Sequence, residues 1–234
     1  MHTEEKTQEI SSTRIAARLI SLVLFSGLLL FGSAGTLKWL EAWFYLILTG
    51  SSISFNVVWM KKKDPRLLRD RMCFDKKSPK GVDRIILLLY MIFIFILIAL
   101  PGLDAIRFKW SALPVFIKVI GFFMTFVSGY IMFSVVKENP HLSSIVEVHQ
   151  DREHKVITTG FYRYVRHPWY VGMILWFFSV PLALDSLYSL IPAGVLTILL
   201  VLRTFIEEKA LSQELPGYEE YCQTVKYRII PYIW

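Results

Sequence analysis

The sequence predicts an all-α integral membrane fold of five to six transmembrane helices, the last two forming a helical hairpin. Three observations carry that reading. Of the 234 residues, 54% are hydrophobic and only 19% charged, with a mean hydropathy of +0.47, apolar and charge-poor for a soluble domain. Several apolar stretches approach or exceed the roughly 18 residues that mark a span. None alternates with period two, and lipid tolerates only helices or closed barrels.

The elements follow in order. Residues 1–14 are polar. Residues 15–31 form the first apolar segment, which ends in "GSAG" much as a signal peptide would. A second span, residues 39–60, follows within a few residues, so a tight helical hairpin is the better reading. Residues 61–84 carry ten Lys or Arg and read as a loop. A third span covers 85–100 and is expected to stop at Pro101-Gly102. A fourth covers 114–136. A polar stretch, residues 137–160, leads to a motif-rich region. Beyond Pro168, "WYVGMILWFFSVPLAL" and "SLIPAGVLTILLVLRTF" form the last helix pair, turning at Asp185-Ser186. The first of these is only about 24 Å long at 1.5 Å per residue. That is marginal for crossing, so the count is six by hydropathy, or five if the last pair is a partial hairpin that does not reach the far surface. The chain thus divides into N-terminal helices over 1–136 and a C-terminal region over 137–234, within one membrane domain.

The net charge of +7 would suggest nucleic acid in a soluble protein. In a membrane protein it reads as positive-inside bias, with the lipid bilayer as partner. The loops after spans two and four and the C-terminal tail are base-rich. The loops after spans one and three hold only Lys38, Arg107 and Lys109. Both termini and the motif-rich region are therefore expected in the cytosol. A bacterial inner membrane and an endoplasmic reticulum are not distinguished. Cys73 and Cys222 both fall on that side, so no disulfide framework is implied. No metal-ligand cluster, internal repeat or obligate protein partner is suggested.

Charge near the membrane is costly and so informative. Arg203, Glu207 and Glu208 close the last apolar helix. Arg203 and Glu207 share a helix face. They read either as a plain ion pair or as groups for a ligand, the guanidinium suiting a carboxylate. The stretch "GFYRYVRHPWYVG", residues 160–172, places bases and tyrosines at a helix mouth. Ordinary interfacial anchoring explains such residues, and Arg163 and Arg166 read as surface bases at the lipid headgroups. Yet Pro168 fits the first turn of a helix, and His167 before it is pushed from the α region. His167 and Tyr170, with Tyr162 and His154 upstream, bring polar side chains to one mouth, where a polar ligand would fit.

"EHKVITTGFYRYVRHPWYVG", an apolar hairpin, "RTFIEEKAL" and "YEEYCQTVKYRIIP", in this order, resemble the isoprenylcysteine carboxyl methyltransferase family over roughly residues 140–234. The resemblance implies an integral membrane enzyme that uses S-adenosylmethionine in a cytosolic pocket built by the C-terminal half. Carried over by motif, the cofactor wall comprises His154, Lys155, Val156, Ile157, Tyr162, His167, Pro168, Trp169, Tyr170 and Glu207, with Glu147 preceding them. Arg203 matches the arginine that contacts the acceptor. The tail, "LPGYEEY", departs from the family's usual Phe-Gly spacing, which leaves Tyr218 and Tyr221 unassigned.

The chemistry implied is an in-line displacement that mainly requires positioning. The aromatic faces of Tyr162, Trp169 and Tyr170 suit a sulfonium, and Glu207 suits hydroxyls or an amino group. A carboxylate acceptor needs only Arg203 to orient it. A thiol or amine needs a base, and His167 is the first candidate. Gly172 would admit a close neighbour. Three alternatives stand beside a prenylcysteine-type carboxylate acceptor: a phospholipid amine or thiol acceptor, an NADPH-dependent sterol-type reductase, and a helical membrane protein without enzymatic activity.

Overall fold

The computed structural model describes residues 11–72, 81–139 and 156–234. Their regular elements are all helices, the α-helices being α1 (Ser12–Ala34), α2 (Leu40–Lys63), α3 (Pro65–Met72), α4 (Val82–Pro101), α5 (Val115–Glu138), α6 (Pro168–Ala183), α7 (Leu190–Glu214) and α8 (Tyr218–Thr224). Among them α1, α2, α4 with its extension, α5 and α7 are long and apolar enough to cross a membrane. Their outward faces carry a belt of exposed apolar side chains, such as Leu24, Leu28, Ile47, Leu88 and Phe123. In a soluble protein so much exposed apolar surface would be a liability. Here it is the surface a bilayer covers.

Local chemistry sets the boundaries. Ser11 caps α1, its Oγ accepting from Thr13 N at 3.3 Å. Gly35 ends the helix in the left-handed region, φ 72°. The chain then turns through Trp39, which packs edge-on against Phe31, closing the expected α1–α2 hairpin. The base-rich loop holds an unexpected helix. Asp64 accepts from Leu67 N at 3.0 Å, Pro65 starts α3, and Leu67 and Leu68 pack against Ile15, Met60 and Val136.

The third span does not stop at Pro101-Gly102. It continues as a π-helical segment over Gly102–Phe108, ending at Lys109 with φ 54°. Pro101 has no N–H to give to an i−4 carbonyl, and the wider i→i+5 pattern accommodates that loss. A Cβ on Gly102 would lie 2.1 Å from Ser33 Oγ and 2.6 Å from Leu30 O, so only glycine lets this turn press against α1.

The last two helices form the expected hairpin, and α6 packs most extensively against α5. Gly121 of α5 abuts the Ala183 backbone, where an added Cβ would come within 2.3 Å of Ala183 N. Ser128 Oγ donates to Gly172 O at 2.7 Å. As its length suggests, α6 falls short of the five span-length helices, and its turn is tied to the α4–α5 connection. Asp104 Oδ2 accepts from Ser111 Oγ (2.8 Å), Ser186 Oγ (2.6 Å) and Tyr188 N (3.2 Å). The α6–α7 turn is thereby level with the α4–α5 connection. Lys118 adds ion pairs to Glu41 at 3.1 Å and Asp185 at 3.6 Å. A single buried cluster runs from Leu30 and Ala42 through Leu97, Phe177 and Leu196 to Ile229. The N-terminal and C-terminal regions therefore share one core.

Candidate functional site

Opposite that closed end lie the α3 helix, the start of α4, the end of α5, the start of α6 and the end of α7. Most of the site residues named from the sequence meet there.

A 3-10 turn, Gly160–Arg163, opens the region. Gly160 has φ 57°, and a Cβ on it would meet Glu138. The turn buries Tyr162, whose hydroxyl accepts from Asn139 Nδ2 at 2.8 Å. Its carbonyl accepts from Tyr221 Oη at 2.7 Å. Burial pushes the Tyr162 phenol up to about 12, partly offset by the Asn139 hydrogen bond, with the Glu207 charge adding to the rise.

Pro168 occupies the first turn of α6, and Tyr170 N donates to His167 O at 3.0 Å. The His167 ring lies flat on Tyr170, centroids 5.4 Å apart and planes 11° apart. Tyr170 Oη donates to Glu207 Oε2 on α7. His167, Tyr170 and Glu207 thus form one connected unit. His167 Nε2 is buried without a hydrogen bond and lies 3.4 Å from Glu208 Oε1.

Glu208 anchors a second network. Its carboxylate accepts from Arg166 Nε at 2.6 Å and Arg228 Nε at 2.7 Å. Arg166 Nη1 also donates to Val225 O and Lys226 O. The backbone N–H groups of Arg166 and His167 donate to Tyr227 O and Arg228 O, both at 2.9 Å. The tail after α8 is therefore laced to the mouth of α6. Burial acts to lower the Arg166 guanidinium, but the hydrogen bond and charge of Glu208 outweigh it and leave it raised. A reading of Arg163 and Arg166 as matching headgroup bases fails for Arg166. Arg163 is exposed, while Arg166 is buried and structural.

Arg203 pairs across helices with Asp83 at the start of α4, Nε to Oδ1 3.4 Å. Trp169 turns one face to Arg71 of α3, whose guanidinium carbon sits 4.6 Å from the ring centroid. That face is thus taken by a protein cation. Burial lowers the Arg71 guanidinium to about 10.

The remaining residues divide. Pro168 is buried beneath the mouth. Val156 packs with the α8 cluster of Leu215, Tyr218, Tyr221 and Val225. Ile157 packs with Ile131, Val135 and Tyr162. Glu147, His154 and Lys155 lie outside the described residues. Asp83, Glu208, Arg228, Asn139 and Arg71 join the site although the sequence reading assigned them no role. Glu208 was legible as half of a Glu-Glu pair. Asp83 carried a weaker signal, an acid in a base-rich loop at the edge of a span.

The arrangement suits a ligand that is cationic and rich in hydroxyls. Glu207 and the tyrosine faces provide for charge, while His167 Nε2 already lies 3.4 Å from Glu208 Oε1. Among the described residues no group of three or more His, Cys, Asp or Glu is disposed to hold a metal ion.

Comparison with known proteins gives sequence similarities. Residues 116–216 match the family model described as phospholipid methyltransferase. The chain is 28% identical over 118 residues to a probable protein-S-isoprenylcysteine O-methyltransferase of Oryza sativa subsp. indica, a match covering 47% of this chain and 59% of the relative. It is 29% identical over 99 residues to a protein-S-isoprenylcysteine O-methyltransferase of Schizosaccharomyces pombe, covering 39% of this chain and 40% of the relative. The chain thus spans less than two thirds of the length of the curated relatives it matches. The names of these relatives agree with the resemblance carried by the motifs over residues 140–234.

Proposed function

We propose that the chain is an S-adenosylmethionine-dependent membrane methyltransferase acting on a lipophilic acceptor, with a carboxylate as the group methylated. The observation that carries the reading is the His167–Tyr170–Glu207 unit. It lies one helical turn along α7 from Arg203, at the open end of a bundle of membrane-spanning length. The names of the relatives, isoprenylcysteine O-methyltransferases, support the acceptor class.

Bound there, S-adenosylmethionine supplies a methyl group already activated on a sulfonium. The protein's part is binding and alignment. Glu207, set by the Tyr170 hydroxyl, would take hydroxyls or the amino group. Tyr162 and Tyr170 would face the positive sulfur. Pro168 and Trp169 shape the wall, and Glu147, His154, Lys155, Val156 and Ile157 complete the proposed cofactor set. Arg203 orients the acceptor's carboxylate, which needs no base. Both termini and this mouth are placed in the cytosol, so the polar cofactor arrives from water and the lipophilic acceptor sideways from the bilayer. The acceptor path between helices 1–136 and the catalytic region 137–234 is part of the same proposal.

A second reading has its own support. The family model matched over residues 116–216 is that of phospholipid methyltransferases, which favours an amine acceptor. His167 would then be the first candidate base. One experiment separates the two. Pure protein in detergent is incubated with membranes and tritiated S-adenosylmethionine, and the label is challenged with mild base. Release as methanol indicates an ester and supports the carboxylate. Base-stable label supports an N- or S-methyl product, and absence of any labelling refutes both.

A further inference from the structure

At the mouth, Arg166 and Arg228 share the Glu208 carboxylate, and Arg203 pairs with Asp83. Arg71 of α3 differs. Among the described residues it takes part in no hydrogen bond or ion pair, and its guanidinium carbon rests 4.6 Å from the Trp169 ring centroid. The side chain is held there by packing. Leu67 and Leu68 dock α3 against Ile15, Met60 and Val136. Trp169 packs against that cluster, and also against the clusters that hold Tyr162 and Tyr170. Arg71 is partly buried, and burial already lowers its guanidinium to about 10. A ring face repays only part of that cost, and a guanidinium shielded from water is ordinarily met by an anion. The location adds meaning. Trp169 belongs to the proposed cofactor wall, where Glu207 suits an amino group or hydroxyls and the tyrosine faces suit the sulfonium. S-adenosylmethionine also carries an α-carboxylate, and none of the described members of that wall is a permanent cation.

We infer that Arg71 is the counter-ion for the amino-acid carboxylate of the cofactor: held against Trp169, its guanidinium offers the flat, two-pronged donor edge that a carboxylate takes. The inference rests on the proposed reading that this mouth binds S-adenosylmethionine. It makes α3 part of the site, so that the cofactor is gripped between a helix of the N-terminal region and the start of α6. It also gives the base-rich segment after α2 a use beyond orientation in the membrane. An arginine that served only to hold Trp169 would act otherwise. Its loss would loosen the wall and weaken every nucleoside ligand alike, with or without a carboxylate.

The test reads binding directly, in detergent, so it does not depend on turnover. S-adenosylhomocysteine and its decarboxylated counterpart are titrated calorimetrically into wild type, Arg71→Gln, Arg71→Lys and Lys155→Gln, Lys155 being the other base in the proposed cofactor set. Wild type should bind S-adenosylhomocysteine on the order of tenfold or more tighter than the decarboxylated ligand. Arg71→Gln should abolish this preference by weakening S-adenosylhomocysteine without weakening the decarboxylated ligand. If Arg71→Gln loses its folded melting transition, Arg71→Lys serves the same comparison. It keeps the charge but not the two-pronged edge, so S-adenosylhomocysteine alone should weaken, by less than in Arg71→Gln. A preference that survives in Arg71→Gln, or two ligands that weaken together, overturns the inference. A preference kept in Arg71→Gln but lost in Lys155→Gln overturns it in favour of Lys155. Wild type that melts cooperatively yet binds neither ligand overturns the methyltransferase reading, and this inference with it.

Discussion

Replacing Glu208 with Gln should loosen the C-terminal tail by a measurable amount. The Glu208 carboxylate joins two guanidiniums, and its side chain is only 12% exposed. Gln keeps the shape, but loses the charge and turns an N–H group towards one donor. The Arg166 contact, 2.6 Å with a 7% exposed partner, is worth about 2 kcal/mol as a charge-assisted hydrogen bond. Arg228 is 31% exposed, so solvent screening reduces its share to about 1 kcal/mol. The sum, about 3 kcal/mol, is on the order of a hundredfold in a local opening equilibrium. Hydrogen exchange reads this directly, because the Arg166 and His167 amides donate to Tyr227 O and Arg228 O. Both amides should exchange on the order of a hundredfold faster in Glu208→Gln, while α5 amides stay as they are. Exchange within about threefold of wild type would refute the claim that this clamp holds the tail.

Further outcomes follow from other contacts. Glu207→Gln should weaken S-adenosylhomocysteine binding by about tenfold or more through the lost charge, measured by isothermal titration, with the melting temperature little changed. Gly121→Ala must push α6 away, because its Cβ would sit 2.3 Å from Ala183 N; a loss of about 1–3 kcal/mol is expected in a denaturation titration. A double-mutant cycle of Arg71→Gln and Trp169→Phe should give a coupling of about 0.5–2 kcal/mol from the cation–π contact. Burial raises the Cys222 thiol, so its reactive thiolate is scarcer at mildly alkaline pH than in a free peptide. In a Cys73→Ser background, alkylation by iodoacetamide should keep accelerating beyond the pH at which a cysteine peptide levels off. A rate curve matching the peptide would contradict that burial.

The helices were legible because each apolar run is long and sharply bounded. Gly35 and Pro168 sit at helix ends where their backbone preferences put them. What hydropathy did not reveal were features decided by tertiary packing. Helix α3 hides in a base-rich segment because only Leu67 and Leu68 mark it. Pro101 resembles a stop but becomes a π-helical turn, since Gly102 can press onto α1. Helix α6 is as short as hydropathy suggests, but the polar tie at Asp104 that brings its turn level with the α4–α5 connection was not visible. At the site, His167, Tyr170 and Glu207, grouped by the motif, contact one another in the structure. Arg166 was misread as a surface base because its partners, Glu208 and the tail carbonyls, are 42 and about 60 residues away. The Arg203–Asp83 pair joins residues from opposite halves of the chain, and no local pattern announces it. The Arg71–Trp169 contact was hidden for the same reason.

The central claim is that the His167–Tyr170–Glu207 mouth binds S-adenosylmethionine. Isothermal titration of S-adenosylhomocysteine into pure, folded wild-type protein and Glu207→Gln tests it most directly. The account predicts one site per chain with a dissociation constant of about 1 μM–1 mM, the range usual for enzyme substrates, weakened by tenfold or more in the variant. Wild-type protein that melts cooperatively yet gives no binding heat and no thermal shift with the ligand would contradict it.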